Sequence, residues 1–394
     1  IEEQQAVDDK TAEFTFEEPF APYKTLFAPV LPSHELEGKN IDRVWNDEIT
    51  VASGPFEFDS WQKGQQLTIK RNENYWGETK AKLDEIILRF ITDSNAQVQA
   101  LEGDEIDMFY PQPQVDLVEQ VEAIDGIESE TNAGTVWEHI DFNFAVPPLD
   151  QAYVRQAIAY GIDRAALTEQ LIKPLNPDAE PLQNTIYMNN QEEYEPHFDE
   201  YTYDPDQATQ LLEDNGCTMG DDDIYTCDGE KLSFTYATTT ANELRELTQQ
   251  VVQQQLQEIG VEVKAANEDA DALFGTTLPG GADGAWELIM FAWVGSPDPF
   301  GGNSIYTCDG GLNEQGYCNE EVTELINSTN TMVDEAERAA TYNEADALMS
   351  EDIPILPLYQ KPTYFAWKDT IVGPQDNPTQ WGPFWNIEEW YIAQ

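Results

Sequence analysis

The side chains of this chain that can do chemistry are four cysteines, three histidines and 76 carboxylates. The cysteines form two pairs, Cys217 with Cys227 and Cys308 with Cys318, and the members of each pair are ten positions apart. Both intervening stretches are rich in turn formers: Asp221, Asp222 and Asp223 in one, Gly310, Gly311 and Gly316 in the other. That pattern predicts two local disulfides, each clipping a loop and each contributing about 2–3 kcal/mol on the loop-entropy model. A zinc site needs closer cysteine spacing, usually with histidine, and His34, His139 and His197 lie elsewhere. Disulfides imply an oxidising, extracytoplasmic compartment. The Asp221–Asp223 run lacks the glycine and distal glutamate of a calcium-binding EF-hand loop. It reads as a solvated loop, so no metal is expected.

No nucleophile motif is present: there is no Gly-x-Ser-x-Gly, His-Glu-x-x-His or phosphate-binding Gly-x-x-x-x-Gly-Lys-Ser/Thr. Gly280, Gly281 and Gly284 lack the strand–turn–helix context of a dinucleotide loop and read as a turn. Carboxylate pairs arise by chance among 76 acids, so a two-carboxylate hydrolase remains only an alternative. The expectation is a protein that is not an enzyme and carries no cofactor.

The 394 residues include 19 basic and 76 acidic side chains, a net charge of −57. Such a polyanion lacks the cations that bind nucleic acid through its phosphates, and anionic lipid repels it. The acids are dispersed along the chain, as on a surface adapted to high salt, where screening is strong. The alternative is steering of a cationic ligand. Ten Trp, 17 Tyr and 17 Phe supply core material that disordered acidic chains do not have.

The elements that must position these residues are strand-like runs at Phe56–Phe58, Gln66–Arg71 and Leu83–Ile91. A helix follows from an N-cap at Ser94, then a short strand at Ile106–Phe109. Trp137–Asn143 is strand-like, and Tyr153–Leu171 has helical spacing. Leu232–Thr238, Asn242–Ile259 and Val261–Ala265 form a βαβ unit with parallel strands. Its helix carries a stripe of Leu244, Leu247, Val251, Leu256 and Ile259 and ends at Gly260. Leu288–Trp293 is apolar throughout, as in a strand buried on both faces. In open α/β sheets ligands bind beyond the carboxyl ends of such strands, which points to Trp293–Pro299. Glu320–Asn327 and Ala336–Met349 are helical, and Ile353–Leu358 and Thr363–Trp367 are two strands separated by Lys361-Pro362.

In order along the chain, Ser53-Gly-Pro-Phe-Glu-Phe, Arg71-Asn-Glu-Asn-Tyr-Trp-Gly, Ala100-Leu-Glu-Gly-Asp-Glu-Ile-Asp, Val154-Arg-Gln-Ala-Ile-Ala-Tyr-Gly-Ile-Asp-Arg, Tyr203-Asp-Pro-Asp-Gln-Ala and Pro354-Ile-Leu-Pro-Leu-Tyr stand in this sequence. Together they resemble the family 5 solute-binding proteins of peptide-type (oligopeptide, dipeptide, nickel) ABC importers. Trp293–Pro297 with Tyr359–Pro362 looks most like the branch of high-GC Gram-positive bacteria. The resemblance implies an α/β, bilobal, periplasmic-binding-protein-like fold (type II, cluster C) with a hinge between two α/β lobes. It implies residues 1–39 as a remnant of an amino-terminal region, 40–155 with 366–394 as an incomplete lobe I, and 156–365 as lobe II. With Ile1 at its start, the chain reads as lacking an amino-terminal part through which it would be lipid-anchored on the extracellular face or in the periplasm. The implied partners are a peptide or similar small solute and an ABC transporter permease, with the receptor a monomer. A metal chelate, haem or glycoside is the alternative ligand.

The resemblance also implies a binding site. Ala292 and Val294 would offer backbone groups to an extended ligand, with Trp293 as an apolar wall, by the logic of β-augmentation. Asn143 either faces the ligand or closes the strand-end turn. Family peptide binders place an aspartate shortly after the tryptophan to pair with the ligand's amino group. Here Ser296 stands in that place, and a serine supplies no charge-assisted pairing. Asp298 either substitutes for it or is structural. Trp137, Trp381 and Trp385 are further pocket candidates, or else packing residues.

Overall fold

A computed structural model describes residues 1–27, 30–296 and 298–393, apart from the side chain at position 42. The polypeptide forms two compact units, one of Ile1–Thr25 and Thr135–Lys361 and the other of Leu26–Gly134 and Pro362–Gln394. The larger unit begins with a hairpin of β1 (Glu3–Asp8) and β2 (Thr11–Thr15).

In the smaller unit, β3 (Phe56–Gln62), β4 (Gln66–Arg71) and β5 (Glu85–Arg89) make an antiparallel meander. α1 (Ser94–Glu102) follows. Its cap is Asp93, not the expected Ser94: the Asp93 carboxylate accepts from the Ala96 N–H, which leaves Ser94 as the first helical residue. β6 (Met108–Phe109) and α2 (Val115–Glu122) lead into β7 (Ile127–Phe142), a 16-residue strand within which the chain passes into the larger unit.

The helix expected to run through Leu171 stops early. α3 (Ala152–Tyr160) ends at Gly161, where a Cβ would meet Ile259 Cδ1 at 2.6 Å. Asp163 then caps a new turn through the Ala166 N–H. In that turn the buried Arg164 guanidinium donates to the carbonyls of Leu182, Pro357, Phe198 and Tyr201. The periodicity of Val154, Ala157, Ile158, Ile162 and Leu167 runs across both pieces because all five side chains are buried.

α4 (Pro205–Asp214) precedes a small sheet of β8 (Thr218–Met219), β9 (Tyr225–Cys227) and β10 (Glu230–Lys231). The Cys217–Cys227 disulfide staples this sheet, and the second bridge joins Cys308 to Cys318. β11 (Ser233–Ala237), α5 (Glu243–Glu258) and β12 (Glu262–Ala265) form the expected βαβ unit, with β11 and β12 parallel. Gly260 follows α5 in a left-handed conformation, φ 73°. The buried face of α5 differs from the expected apolar stripe. Leu244, Val252 and Leu256 are buried with Arg245, Thr248 and Gln249, whereas Leu247 is 40% exposed. Residues four apart share a face, and Leu247 lies off the row running through 244, 248, 252 and 256.

β13 (Leu288–Val294) lies parallel to β11 and antiparallel to β7. α6 (Glu320–Ser328), α7 (Glu335–Asp352) and β14 (Ile355–Lys368) complete the unit and return the chain to the smaller one, where β15 (Ile371–Val372) pairs β16 (Tyr391–Ile392). The main sheet has the order β12-β11-β13-β7-β14-β6. The two strands expected on either side of Lys361-Pro362 are one. β6 flanks β14 only at Ala366 and Trp367, so at Pro362 one side of β14 carries no strand of the described residues, and a missing N–H is tolerated there. The core of the larger unit packs Ile140, Phe142, Leu288 and Met290 of the sheet against Leu244, Val252 and Leu256 of α5.

Replacing Cys217 and Cys227 together with alanine is expected to lower the unfolding free energy by about 2–3 kcal/mol. Urea denaturation measures this. An unchanged midpoint would mean that the bridge does not constrain the unfolded chain.

Candidate functional site

The register of β13 on β7 decides the direction of every group around Trp293. Residues 288–294 face 142–136 one for one, with Ala292 opposite Glu138 and Trp293 opposite Trp137. The Gly295 N–H donates to Thr135 O at 2.7 Å, and the Asn143 N–H donates to Glu287 O at 3.0 Å. In an antiparallel ladder every second pair exchanges hydrogen bonds. Ile289, Phe291 and Trp293 therefore turn their backbone groups toward β7, and Met290, Ala292 and Val294 turn theirs away. The Thr238 hydroxyl, donating to Met290 O at 2.9 Å from the β11 side, agrees with this. β11 pairs with β13 only at Leu288 and Ile289. Among the described residues no strand continues β11 beside Ala292 and Val294, so the backbone groups of both lie along an open edge.

The two faces of β13 differ. One carries Trp137, His139, Phe291 and Trp293. His139 stacks parallel to Trp293, with centroids 6.2 Å apart, and meets Phe291 edge-on at 4.5 Å. Its Nδ1 lies 2.6 Å from Asp141 Oδ1, both side chains being buried. Trp137 is buried in the core, and Trp293 is half-buried and packed against it. The wall residue and the core residue are thus cross-strand neighbours. The opposite face carries Glu138, wholly buried. Arg245 Nε donates to both of its oxygens at 3.0 and 3.1 Å, and Lys361 Nζ stands 3.6 Å away. Burial, the largest influence, lowers the pKa of Lys361, and Arg245 lowers it further against the opposing pull of Glu138. Burial raises the phenol pKa values of Tyr236 and Tyr359 beside the same cluster, so both stay neutral.

The remaining expected site residues divide by their bonds. The buried Asn143 amide donates to Gly281 O and Trp286 O at 2.9 and 2.7 Å, and its oxygen accepts from the Ala145 N–H. Its hydrogen bonds therefore hold the strand-end turn against the Gly280–Gly284 loop. Asp298 accepts from the Phe300 N–H, capping a 3-10 turn, and forms a two-pronged pair with Arg338 at 2.7 and 3.0 Å. Its carboxylate is thus already neutralised. Ser296 is half-buried, and its hydroxyl has no partner among the described residues. Val294 is exposed, and Pro297 lies outside the described residues. Trp381 and Trp385 belong to the smaller unit and are 67% and 48% exposed, with the Trp385 indole donating to Gln375 O. The smaller unit also holds an apolar cavity of about 840 Å³ lined by Ile86, Leu88, Met108, Phe365 and Trp390; its Arg89 and Glu105 pair with each other.

Glu138, Arg245 and Lys361 escape sequence reasoning. The only local signal is a glutamate inside the strand-like Trp137–Asn143, and its partner Arg245 is 107 positions away. Among the described residues no group of three or more His, Cys, Asp or Glu side chains could hold a metal ion. None of their helices is long and apolar enough to cross a membrane.

A family model described as bacterial extracellular solute-binding proteins, family 5 (middle), matches residues 1–313. The oligopeptide-binding protein AppA of Bacillus subtilis (strain 168) is 28% identical over 374 residues, covering 93% of this chain and 67% of its own length. The solved structure titled periplasmic EDTA-binding protein EppA superposes with a TM-score of 0.91 at 24% identity, covering all of this chain and 76% of that one. The structure of Bacillus subtilis AppA in complex with a nonapeptide superposes with a TM-score of 0.86 at 25% identity, covering all of this chain and 78% of that one.

Asn143→Ala removes three hydrogen bonds from a buried turn. It is expected to cost about 2–4 kcal/mol of stability by chemical denaturation. A loss below about 0.5 kcal/mol would contradict the turn-closing role.

Proposed function

Because this chain belongs to the bacterial extracellular solute-binding proteins of family 5, we propose that it captures an extended peptide or peptide-like solute along the open edge of β13 and delivers it to an ABC transporter permease. It works by binding without turnover, outside the cytoplasm. The observation that carries this reading is the alternation of β13: Ala292 and Val294 present backbone N–H and C=O groups where β11 has ended. A ligand strand laid there completes the ladder and gains main-chain hydrogen bonds that do not depend on its sequence. Trp293 projects from the same strand as an apolar wall, stacked on His139 and held by Phe291.

Ser296 and Asp298 shape the ligand's chemistry. The Asp298 carboxylate is committed to Arg338, and Ser296 carries no charge. The segment after Trp293 therefore lacks a free acid to hold a ligand's amino group. Ligands whose amino end is blocked or absent suit this site better than free-amine peptides. The same feature favours the second reading, a non-peptide ligand such as a metal chelate. The two cysteine bridges fit an oxidising compartment. The larger unit corresponds to lobe II of the family fold, and the smaller to lobe I.

The test is Val294→Pro, which removes one N–H from the open edge and leaves the pairing with β7 in place. Affinity for acetylated alanine peptides, measured by calorimetry, is expected to fall about tenfold, the equivalent of one hydrogen bond at the upper end of its usual net value. Unaltered affinity would contradict binding along this edge.

A further inference from the structure

The Glu138–Arg245–Lys361 cluster has two cations and one anion. Glu138 is wholly buried, Arg245 is 8% exposed and Lys361 is 6% exposed. The neighbouring ionisable groups are Tyr236 and Tyr359, and both phenols are neutral. The overall chain has four acids for every base, 76 to 19, yet here the bases outnumber the acid two to one. The donors are not used up. Arg245 spends Nε on Glu138 and Nη1 on the Thr239 hydroxyl at 2.9 Å, and no described residue accepts from Nη2. Lys361 Nζ is 3.6 Å from Glu138 Oε1, an ion-pair distance longer than a hydrogen bond, and no described residue accepts its three N–H groups at hydrogen-bond distance. Neither Arg245 Nη2 nor Lys361 Nζ is among the fully enclosed polar atoms that lack a partner, so both reach solvent, where an anion can complete them.

The position of the cluster supplies the anion. Glu138 is directly opposite Ala292 on β7, in a pair whose side chains approach closely. The Arg245 guanidinium bonds Glu138 on β7 and Thr239 just past the end of β11, so it crosses β13 over the small side chain of Ala292 toward the open edge. A ligand strand on that edge lies about 5 Å from β13, one strand spacing beyond it. Every second ligand side chain then stands on the face that carries Arg245 and Lys361.

We propose that Lys361 and Arg245, oriented by Glu138, form a receptor for a carboxylate carried by the ligand on the β13 edge. This rests on the edge-binding reading above and deepens it: the ligand is anionic. The carboxylate comes from an acidic side chain or from the ligand's carboxyl terminus, and the test separates the two. Glu138 is the positioning residue; it neutralises one cation and leaves the other for the ligand.

Three probes are titrated into the protein by calorimetry: acetyl-tetraalanine amide, acetyl-tetraalanine free acid, and acetyl-Ala-Glu-Ala-Ala amide. At least one carboxylate probe is expected to bind about tenfold or more tightly than the neutral amide. The probe that does so identifies the source. In Lys361→Met that preference is expected to fall below about twofold, with the neutral amide unaffected. Equal binding of all three by the unaltered protein, or a preference that survives Lys361→Met, overturns the carboxylate receptor while leaving edge binding intact. Failure of all three to bind overturns the edge-binding reading itself. Thermal melting of unliganded Lys361→Met gives an independent readout. The variant leaves a balanced Glu138–Arg245 pair, so its melting temperature is expected to equal or exceed that of the unaltered protein. A fall of several degrees would make Lys361 a structural counter-ion and overturn the proposal.

Discussion

β13 lies between β11 and β7, and its antiparallel register with β7 decides which way each residue faces. The pairing of Trp293 with Trp137 commits the odd-numbered backbone groups to β7. It puts Trp293, His139 and Phe291 on one face and Ala292, Glu138 and Val294 on the other. A shift of one residue would exchange the two sets completely. Large aromatic pairs on one face and a buried ion pair on the other fix the register from both sides. The edge at Ala292 and Val294 is open because β11 ends at Ala237, just before the Thr238 hydroxyl reaches over to Met290 O.

The two faces stabilise by different means. The aromatic face gains from area and from edge-on ring contacts, worth about 0.5–1.5 kcal/mol per pair beyond burial. The charged face carries a desolvation cost offset by the close Arg245–Glu138 contact. In a chain of net charge −57, a buried site with surplus positive charge also selects by sign. Salt screens the dispersed, exposed acids, whereas the cations at this site face one carboxylate, Glu138, at close range.

Much of this was legible in the sequence. The continuous apolar run at Leu288–Trp293, the βαβ unit before it and the two cysteine pairs each carry a local signal, and each is present in the fold. Ser296 and Asp298 stand out by residue type, and the pair with Arg338 shows why Asp298 is committed. What stayed hidden depends on distant partners. Glu138 and Asp141 sit in a strand whose mixed pattern reads as half-exposed, yet both are buried because Arg245, Lys361 and His139 meet them there. Leu247 falls on the apolar stripe of α5 by spacing, but helical spacing alone does not say that polar Thr248 and Gln249 take the buried row. Pro362 reads as a break, but β14 runs through it.

The most direct measurement is amide hydrogen exchange at Ala292 and Val294, followed residue by residue with and without a saturating acetylated peptide. If a ligand strand completes the ladder at the open edge, both amides exchange markedly more slowly when it is bound, while those of Phe291 and Trp293, already paired with β7, change little. Unchanged exchange at Ala292 and Val294 in a complex shown by calorimetry to be saturated would contradict the account.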